Sequence, residues 1–172
     1  LERIETLGVN EMVMVYKKEL FGGIESLEHL LVNQELTIGI TTTGLNPDVK
    51  KVPNILTKIS RMIGQRLPEV ESRTRLITGG RESPDTPEGR NQYGWIMETQ
   101  KVELLFTYLS NALAATADNP DLRITQLPKQ LSISGQYGIG IKPGANEIAE
   151  DFFAWLLSLE AGQILSDFGF RK

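Results

Sequence analysis

Three threonines at the end of a predicted strand carry the side chains best suited in this chain to bind an anion. Thr41, Thr42 and Thr43 close the β-rich stretch that begins at Leu36, and the segment Gly-Leu-Asn-Pro-Asp follows at 44–48. Ligands of open α/β sheets bind beyond the carboxyl ends of strands, and threonine hydroxyls can donate to oxyanion oxygens without adding a charge. N–H groups at the start of a following helix also attract anions. The alternative is a β-rich strand followed by an ordinary Asn-Pro turn, which is common.

Tyr108 is the second candidate for contact with an anion. It ends the strong strand pattern Val-Glu-Leu-Leu-Phe-Thr-Tyr at 102–108. A tyrosine hydroxyl in this position offers one directional donor and no charge, which suits an anion at the edge of a sheet. The alternative is a boundary aromatic side chain between sheet and helix.

The polar loop at 79–92 is the third candidate, and it contains Arg81 and Arg90. Arginine side chains at the rim of a site can steer an approaching anion. The alternative is an ordinary surface loop whose charges are simply solvated.

The sequence argues against an enzyme. His29 is the only histidine and cysteine is absent, so the common histidine and cysteine metal clusters cannot form. The chain has no Gly-x-Ser-x-Gly elbow and no phosphate-binding loop. Its acidic residues are scattered, and their spacing singles out no pair for general acid–base catalysis. We therefore expect no catalysis, no cofactor and no metal site.

Composition narrows the range of partners. The 172 residues include 18 basic and 22 acidic side chains, which give a formal net charge of −4. No cluster of Lys and Arg is dense enough to follow a phosphate backbone, so we expect no nucleic-acid partner. No apolar run approaches the roughly 18 residues of a membrane span. The absence of cysteine fits an oxidising compartment.

Apolar runs and amphipathic stretches alternate along the chain. This alternation predicts an α/β fold, a mostly parallel sheet with helices on both faces. The predicted strands are 12–16, 36–42, 75–78, 102–108, 123–127 and 137–141. The predicted helices start after Ser26 as an N-cap, at Pro53, at Tyr93 and at Ser110 as an N-cap. Gly64 is expected to weaken the end of the second helix.

The end of the chain has a distinctive order of parts. Residues 151–170 read DFFAWLLSLEAGQILSDFGF: an amphipathic helix, a Ser-Leu-Glu break, a shorter helix and a Gly-Phe stop. This order closely resembles the C-terminal end of bacterial periplasmic solute-binding proteins, in particular the molybdate-binding type. The similarity continues in sequence order through nearly the whole chain, over 7–16, 22–30, 39–48, 104–112 and 127–141.

The resemblance implies a division of the chain. Residues 9–135 correspond to the second lobe of a type II periplasmic-binding-protein-like fold. Residues 136–172 correspond to the return crossover strand and the C-terminal helices, which in the family pack on a first lobe. That first lobe would precede Leu7 and is not part of this sequence, so half of the ligand shell is missing. We therefore expect this chain to bind oxyanions weakly or not at all.

The resemblance also implies the residues of the ligand shell. In the family, hydroxyl and backbone groups at the strand end and turn bind the ligand, a tyrosine hydroxyl donates to the bound oxyanion, and a helix start adds a backbone contact. The corresponding positions are Thr41, Thr42, Thr43, Gly44, Asn46, Asn91 and Tyr108. This chain departs from the family pattern at 48–51, where Asp-Val-Lys-Lys replaces the usual small, glycine and acidic-aromatic residues.

The implied function is the solute-binding component, or a fragment of it, of an ABC uptake system for an oxyanion such as molybdate or tungstate. Its partners would be the small oxyanion and an ABC permease, in the periplasm. One alternative is a ligand-sensing or interaction module of a bacterial regulator in the cytoplasm. Another is a one-lobe remnant without a small ligand.

The tail is expected to associate with a further surface. Its apolar side chains lie at helical spacing and would be left exposed without a first lobe. They are Ile148, Phe152, Trp155, Leu156, Leu159, Ile164, Leu165 and Phe168. We expect the tail to pack on its own lobe or on a second copy. A homo-oligomer is favoured, with 7–16 and 137–141 as hinges of an exchanged dimer.

Overall fold

The computed structural model describes residues 3–21, 27–41, 53–78, 85–100 and 102–172. Its strands are β1 (Arg3–Lys17), β2 (Ile38–Thr41), β3 (Thr74–Thr78), β4 (Leu104–Tyr108), β5 (Leu122–Gln126), β6 (Ser134–Ile141) and β7 (Phe170–Arg171). Its α-helices are α1 (Leu27–Val32), α2 (Pro53–Ile63), α3 (Leu67–Ser72), α4 (Gln92–Thr99), α5 (Leu109–Asp118), α6 (Glu147–Leu156) and α7 (Leu159–Asp167). Within these ranges, no helix has the length and apolar character needed to cross a membrane.

The sheet has the strand order β3-β2-β4-β1-β5, and β6 and β7 also pair with β1. Strand β2 runs parallel to β3 and to β4. Strand β1 is antiparallel to β4 and to β5. The strands β3, β2, β4 and β5 therefore share one direction, and β1 opposes them. The prediction of an α/β fold with a mostly parallel sheet is confirmed.

Side-chain alternation along β1 divides the interior into two cores, because successive strand residues point to opposite faces. Met12, Met14 and Tyr16 pack with α1, α2 and α3 on one face. Val13 and Val15 pack with α4 and α5 on the other face. Helices therefore cover both faces of the sheet.

Strand β1 is much longer than its predicted core at 12–16. Its first half pairs with β6 in the register Asn10↔Gly135 and with β7 in the register Asn10↔Phe170. The residues before Val9 are mostly exposed, so they lack the apolar run by which the second half was found. Strand β1 thus joins the sheet to the two tail strands.

Several helix boundaries confirm the sequence predictions. Helix α2 begins at Pro53, and Gly64 follows it with a φ of 68°. The tail has the predicted helix, break and helix, and the side chain of Ser158 caps α7 by accepting a hydrogen bond from Ala161 N. Gly169 follows α7 with a φ of 86°, which favours glycine. The predicted cap Ser26 lies outside the described residues.

The prediction that Ser110 caps a helix is wrong. Helix α5 begins at Leu109, with Tyr108 in the N-cap position and no side-chain cap from it. The hydroxyl of Ser110 instead accepts a hydrogen bond of 2.8 Å from Asn10 Nδ2. Asn10 on β1 therefore ties down the first turn of α5, which local sequence cannot reveal.

Candidate functional site

A cavity of about 340 Å³ opens where β2 and β4 end. Thr41 is the last residue of β2, and Tyr108 is the last residue of β4. Both line this cavity, together with residues from β1, α2 and β6. The described lining residues are Met12, Ile40, Thr41, Ile55, Phe106, Tyr108, Ile133, Ser134, Gly135 and Gln136.

Strand register brings these residues together. Because β2 and β4 are parallel neighbours, with Ile40 opposite Phe106, their carboxyl ends lie at the same edge of the sheet. Strand β1 crosses the same edge, where Met12 is opposite Tyr108. Ligands of α/β sheets bind beyond strand ends of this kind.

The described lining of the cavity consists of apolar and neutral polar side chains. Ile40, Phe106 and Met12 are buried and form apolar walls, and Thr41 and Tyr108 supply hydroxyl groups. None of the ten described lining residues carries a charged side chain. In an apolar surrounding, hydrogen bonds from neutral donors are stronger than in water. Such a lining suits a ligand that brings its own charge.

The start of α5 next to Tyr108 is held by a buried amide. Asn10 is only 1% exposed. Its Nδ2 donates to Ser110 Oγ, and its Oδ1 accepts from Ser110 N at 3.4 Å. Both ends of the amide are thus used, as a buried polar group requires. This contact fixes where the chain turns from β4 into α5.

The side-chain amide of Asn111 links β4 to α4 and α5, the helices on the face of the sheet that carries Val13 and Val15. Asn111 Nδ2 donates to Thr107 Oγ1 and to Tyr93 Oη, both at 3.1 Å. Thr107 is fully buried. This contact holds the first turns of α4 and α5 at the end of β4.

The comparison with protein families is decisive for the class of protein. The family of bacterial extracellular solute-binding proteins matches residues 1–171. This chain belongs to that family. Comparison with curated protein sequences gave no match.

Solved structures share the fold of this solute-binding protein. PEB3 from Campylobacter jejuni, with L-phospholactate bound, aligns with a TM-score of 0.67 and 17% identity over 98% of this chain and 68% of PEB3. A substrate-binding domain assigned to a molybdenum ABC transporter from Clostridium difficile aligns with a TM-score of 0.66 and 14% identity, over 98% and 66%. The sulfate-binding protein SubI from Mycobacterium tuberculosis aligns with a TM-score of 0.62 and 14% identity, over 95% and 56%.

The other predicted site residues fall outside this cavity or outside the described part of the chain. Asn91 is the N-cap of α4, and its Oδ1 accepts from Tyr93 N at 3.0 Å and from Gly94 N at 3.1 Å. It is not among the cavity-lining residues. Four further predicted ligand residues lie outside the described residues: Thr42, Thr43, Gly44 and Asn46.

Three cavity residues from β6 were not predicted as part of the site. They are Ser134, Gly135 and Gln136. They precede the predicted strand 137–141, and only long-range pairing with β1 brings them to the cavity. The polar Ser-Gly-Gln step before the predicted strand is the one local signal that could have pointed to them.

Arg90 has a structural role in this solute-binding protein. Its guanidinium forms ion pairs with Asp118, at 3.0 Å, and with Glu98, and it lies 5.1 Å from the ring centroid of Trp95. The side-chain hydrogen bond from Arg90 lowers the pKa of Asp118 below its usual range. Arg90 thus joins α4 to the end of α5, while the second candidate for steering, Arg81, lies outside the described residues.

We expect the substitution Asp118→Asn to lower the melting temperature by about 2–4 °C near neutral pH. Because the pKa of Asp118 is lowered in the folded state, its carboxylate stabilises the fold above its unfolded pKa. That contribution disappears as the pH falls through the folded pKa.

Melting curves of the parent and the variant between pH 7 and pH 2.5 test this. The difference in melting temperature should be constant down to about pH 4 and then shrink. Glu98→Gln, at a more exposed partner of the same arginine, is the control and should have a smaller effect. An Asp118→Asn difference that grows in acid would contradict the assignment.

No group of three or more His, Cys, Asp or Glu side chains in the described ranges is placed to hold a metal ion.

A larger cavity, of about 650 Å³, lies between β6 and α6. Phe152, Phe153 and Leu156 contribute to its lining, and neither Thr41 nor Tyr108 does. It belongs to the apolar side of the tail and not to the candidate anion site.

Proposed function

We propose that this chain is the solute-binding component, or a fragment of it, of an ABC uptake system for an oxyanion such as molybdate or tungstate. One observation carries the proposal. Thr41 and Tyr108 line the same cavity at the carboxyl ends of parallel strands, and the described lining has hydroxyl groups but no charged side chain.

This chemistry favours a small anion over other cargo. An oxyanion accepts hydrogen bonds from neutral donors, and each such charge-assisted bond is worth about 1.5–3 kcal/mol. A polyamine needs carboxylates, and the described lining contains none. The fold alone does not decide the cargo, since iron-bound HitA from Pseudomonas aeruginosa shares it. The anionic cargo of SubI and the anion bound to PEB3 support the same choice.

The proposed organisation follows the resemblance to two-lobed family members. Residues 9–135 act as the second lobe, and 136–172 form the return strand and the helices that contact a first lobe. Closure of the two lobes would exclude water from the oxyanion and strengthen each donor contact. A permease would then recognise the closed state, and the proposed location is the periplasm.

A ligand-sensing module is the second candidate function. A two-component signal transduction protein aligns with a TM-score of 0.62 and 14% identity over 96% of this chain and 54% of that protein. The two functions share the same ligand chemistry and differ in what the intact gene encodes before this segment. A secretion signal would favour transport, and a DNA-binding helix-turn-helix would favour regulation.

Thermal shift with a series of salts tests the proposed ligand class. Molybdate, tungstate and sulfate, compared at equal ionic strength with chloride, should raise the melting temperature in a saturable way. Spermidine should have no such effect. We expect dissociation constants well above micromolar, because the chain spans only about two thirds of PEB3. Stabilisation by spermidine alone would overturn the proposal.

A further inference from the structure

Gly135 is the point at which β6 lies closest to the tyrosine of the cavity. A Cβ atom built on Gly135 would lie 3.0 Å from the Tyr108 hydroxyl oxygen and 3.3 Å from Cζ of the ring. Both distances are shorter than ordinary van der Waals contact between a methyl group and these atoms. Any other residue at 135 would therefore displace the tyrosine or the strand.

The requirement at 135 is for space and not for an unusual backbone. Among the described residues, the glycines with positive φ are Gly64, Gly89, Gly144 and Gly169, and Gly135 is not one of them. An alanine can therefore adopt its backbone conformation, and its cost would come from contact with Tyr108. An alanine substitution at this position can therefore test contact with Tyr108 without adding backbone strain.

Strands β1 and β6 both restrict the surroundings of Tyr108. Asn10 on β1 holds Ser110, two residues after Tyr108, and Asn10 pairs with Gly135 in the β1–β6 register. The hydroxyl end of the Tyr108 ring packs against Gly135. Strand β1 thus restrains the start of α5 beside Tyr108, and β6 lies against the hydroxyl end of its ring.

We propose that Gly135 is a positioning residue for the anion-binding tyrosine: its missing side chain lets the Tyr108 hydroxyl rest against β6 at the end of the cavity. The role in ligand binding rests on the proposed function, because it requires that Tyr108 donates to the oxyanion. The packing part of the inference does not.

A double-mutant cycle tests the packing part. Gly135→Ala in the 172-residue chain should lower the melting temperature by roughly 2–8 °C. In the Tyr108→Phe background, which removes the oxygen at 3.0 Å, the same substitution should cost less than half as much. Equal losses in both backgrounds would overturn the proposal. If Gly135→Ala alone does not fold, the double variant should fold, and its failure would count against the proposal.

Gly138→Ala is the matched control. It lies on the same strand, and its Cβ would lie 3.2 Å from the Glu5 carbonyl oxygen, so it strains backbone without touching Tyr108. Its cost should be the same in the parent chain and in the Tyr108→Phe background. A cycle that gives Gly138→Ala the same coupling as Gly135→Ala would show a general effect of β6 and reject a specific role.

Tyrosine ring signals give a readout that a merely structural glycine would not move. The chain has four tyrosines, so ¹³C labelling of tyrosine rings gives few signals, and Tyr108→Phe assigns one of them. Gly135→Ala should shift the Tyr108 signal, and Gly138→Ala should not. An unmoved Tyr108 signal would reject the proposal. Absence of oxyanion binding by the parent chain would remove the ligand-binding part of the proposal but leave this packing test intact.

Discussion

Tyr108→Phe is expected to weaken oxyanion binding by about 10- to 100-fold, because a charge-assisted hydrogen bond is worth about 1.5–3 kcal/mol. The substitution removes one hydroxyl from a cavity whose other described polar groups are also neutral. The ring remains, so the contacts of its apolar part with the cavity are kept. Titration followed by NMR suits the measurement, since the parent affinity is expected to be weak.

Tyr137→Phe is the matched control for this prediction. Tyr137 lies on β6 close to Gly135, is 40% exposed and is not among the cavity-lining residues. The same loss of one hydroxyl there should leave the dissociation constant unchanged. Equal affinities of the Tyr108 variant and the parent would show that this hydroxyl does not bind the anion.

The chain is expected to self-associate through the exposed face of α6 and α7. Leu159 is 90% exposed, Ile148 78% and Phe152 58%. Ile148, Phe152 and Trp155 follow one another at intervals of four and three residues, so they form one stripe along α6, and Leu159 begins α7. Apolar patches of this kind seldom remain uncovered in solution.

The strands of the tail are paired within the same chain, because β6 and β7 both pair with β1. We therefore expect a face-to-face dimer instead of the strand-exchanged dimer that the sequence predicted. Light scattering after size exclusion should give twice the chain mass of 19.2 kDa at high concentration. A monodisperse monomer would show that the exposed stripe does not associate.

The acidic charge of α6 and α7 predicts how the dimer should respond to salt. The charged residues of α6 and α7 are all acidic: Glu147, Glu150, Asp151, Glu160 and Asp167. Two such faces repel each other, so higher salt should strengthen the dimer by screening. Leu159→Glu should abolish it. Val32→Glu, at an exposed apolar residue on α1, is the control and should not change it.

The sequence predicted those parts of the site that local patterns encode. Thr41 and Tyr108 each end a strand that the sequence pattern predicts, and both line one cavity because β2 and β4 are parallel neighbours. The ligand role of both residues remains a prediction. The helix–break–helix tail was equally visible, because Ser158 and Gly169 are strong local signals.

Long-range contacts set the parts that could not be predicted. Asn10 looks like any polar residue of a strand, and only the β1–β6 pairing reveals that it holds Ser110. Gly135 likewise has an ordinary backbone, and its importance comes from Tyr108, far away in sequence. Helix α3 was missed because its six residues contain one buried side chain, Val70, and so give no apolar stripe.

An NMR titration of the 172-residue chain with molybdate shows whether an oxyanion binds at the ends of β2 and β4. We expect saturable shifts at Thr41 and Tyr108, with no comparable shift at Lys17 or Asp121, which line a separate cavity. Sulfate should compete for the same signals, and spermidine should not. Shifts confined to the other cavity, or saturation by spermidine but not by any oxyanion, would contradict an oxyanion site at the ends of β2 and β4.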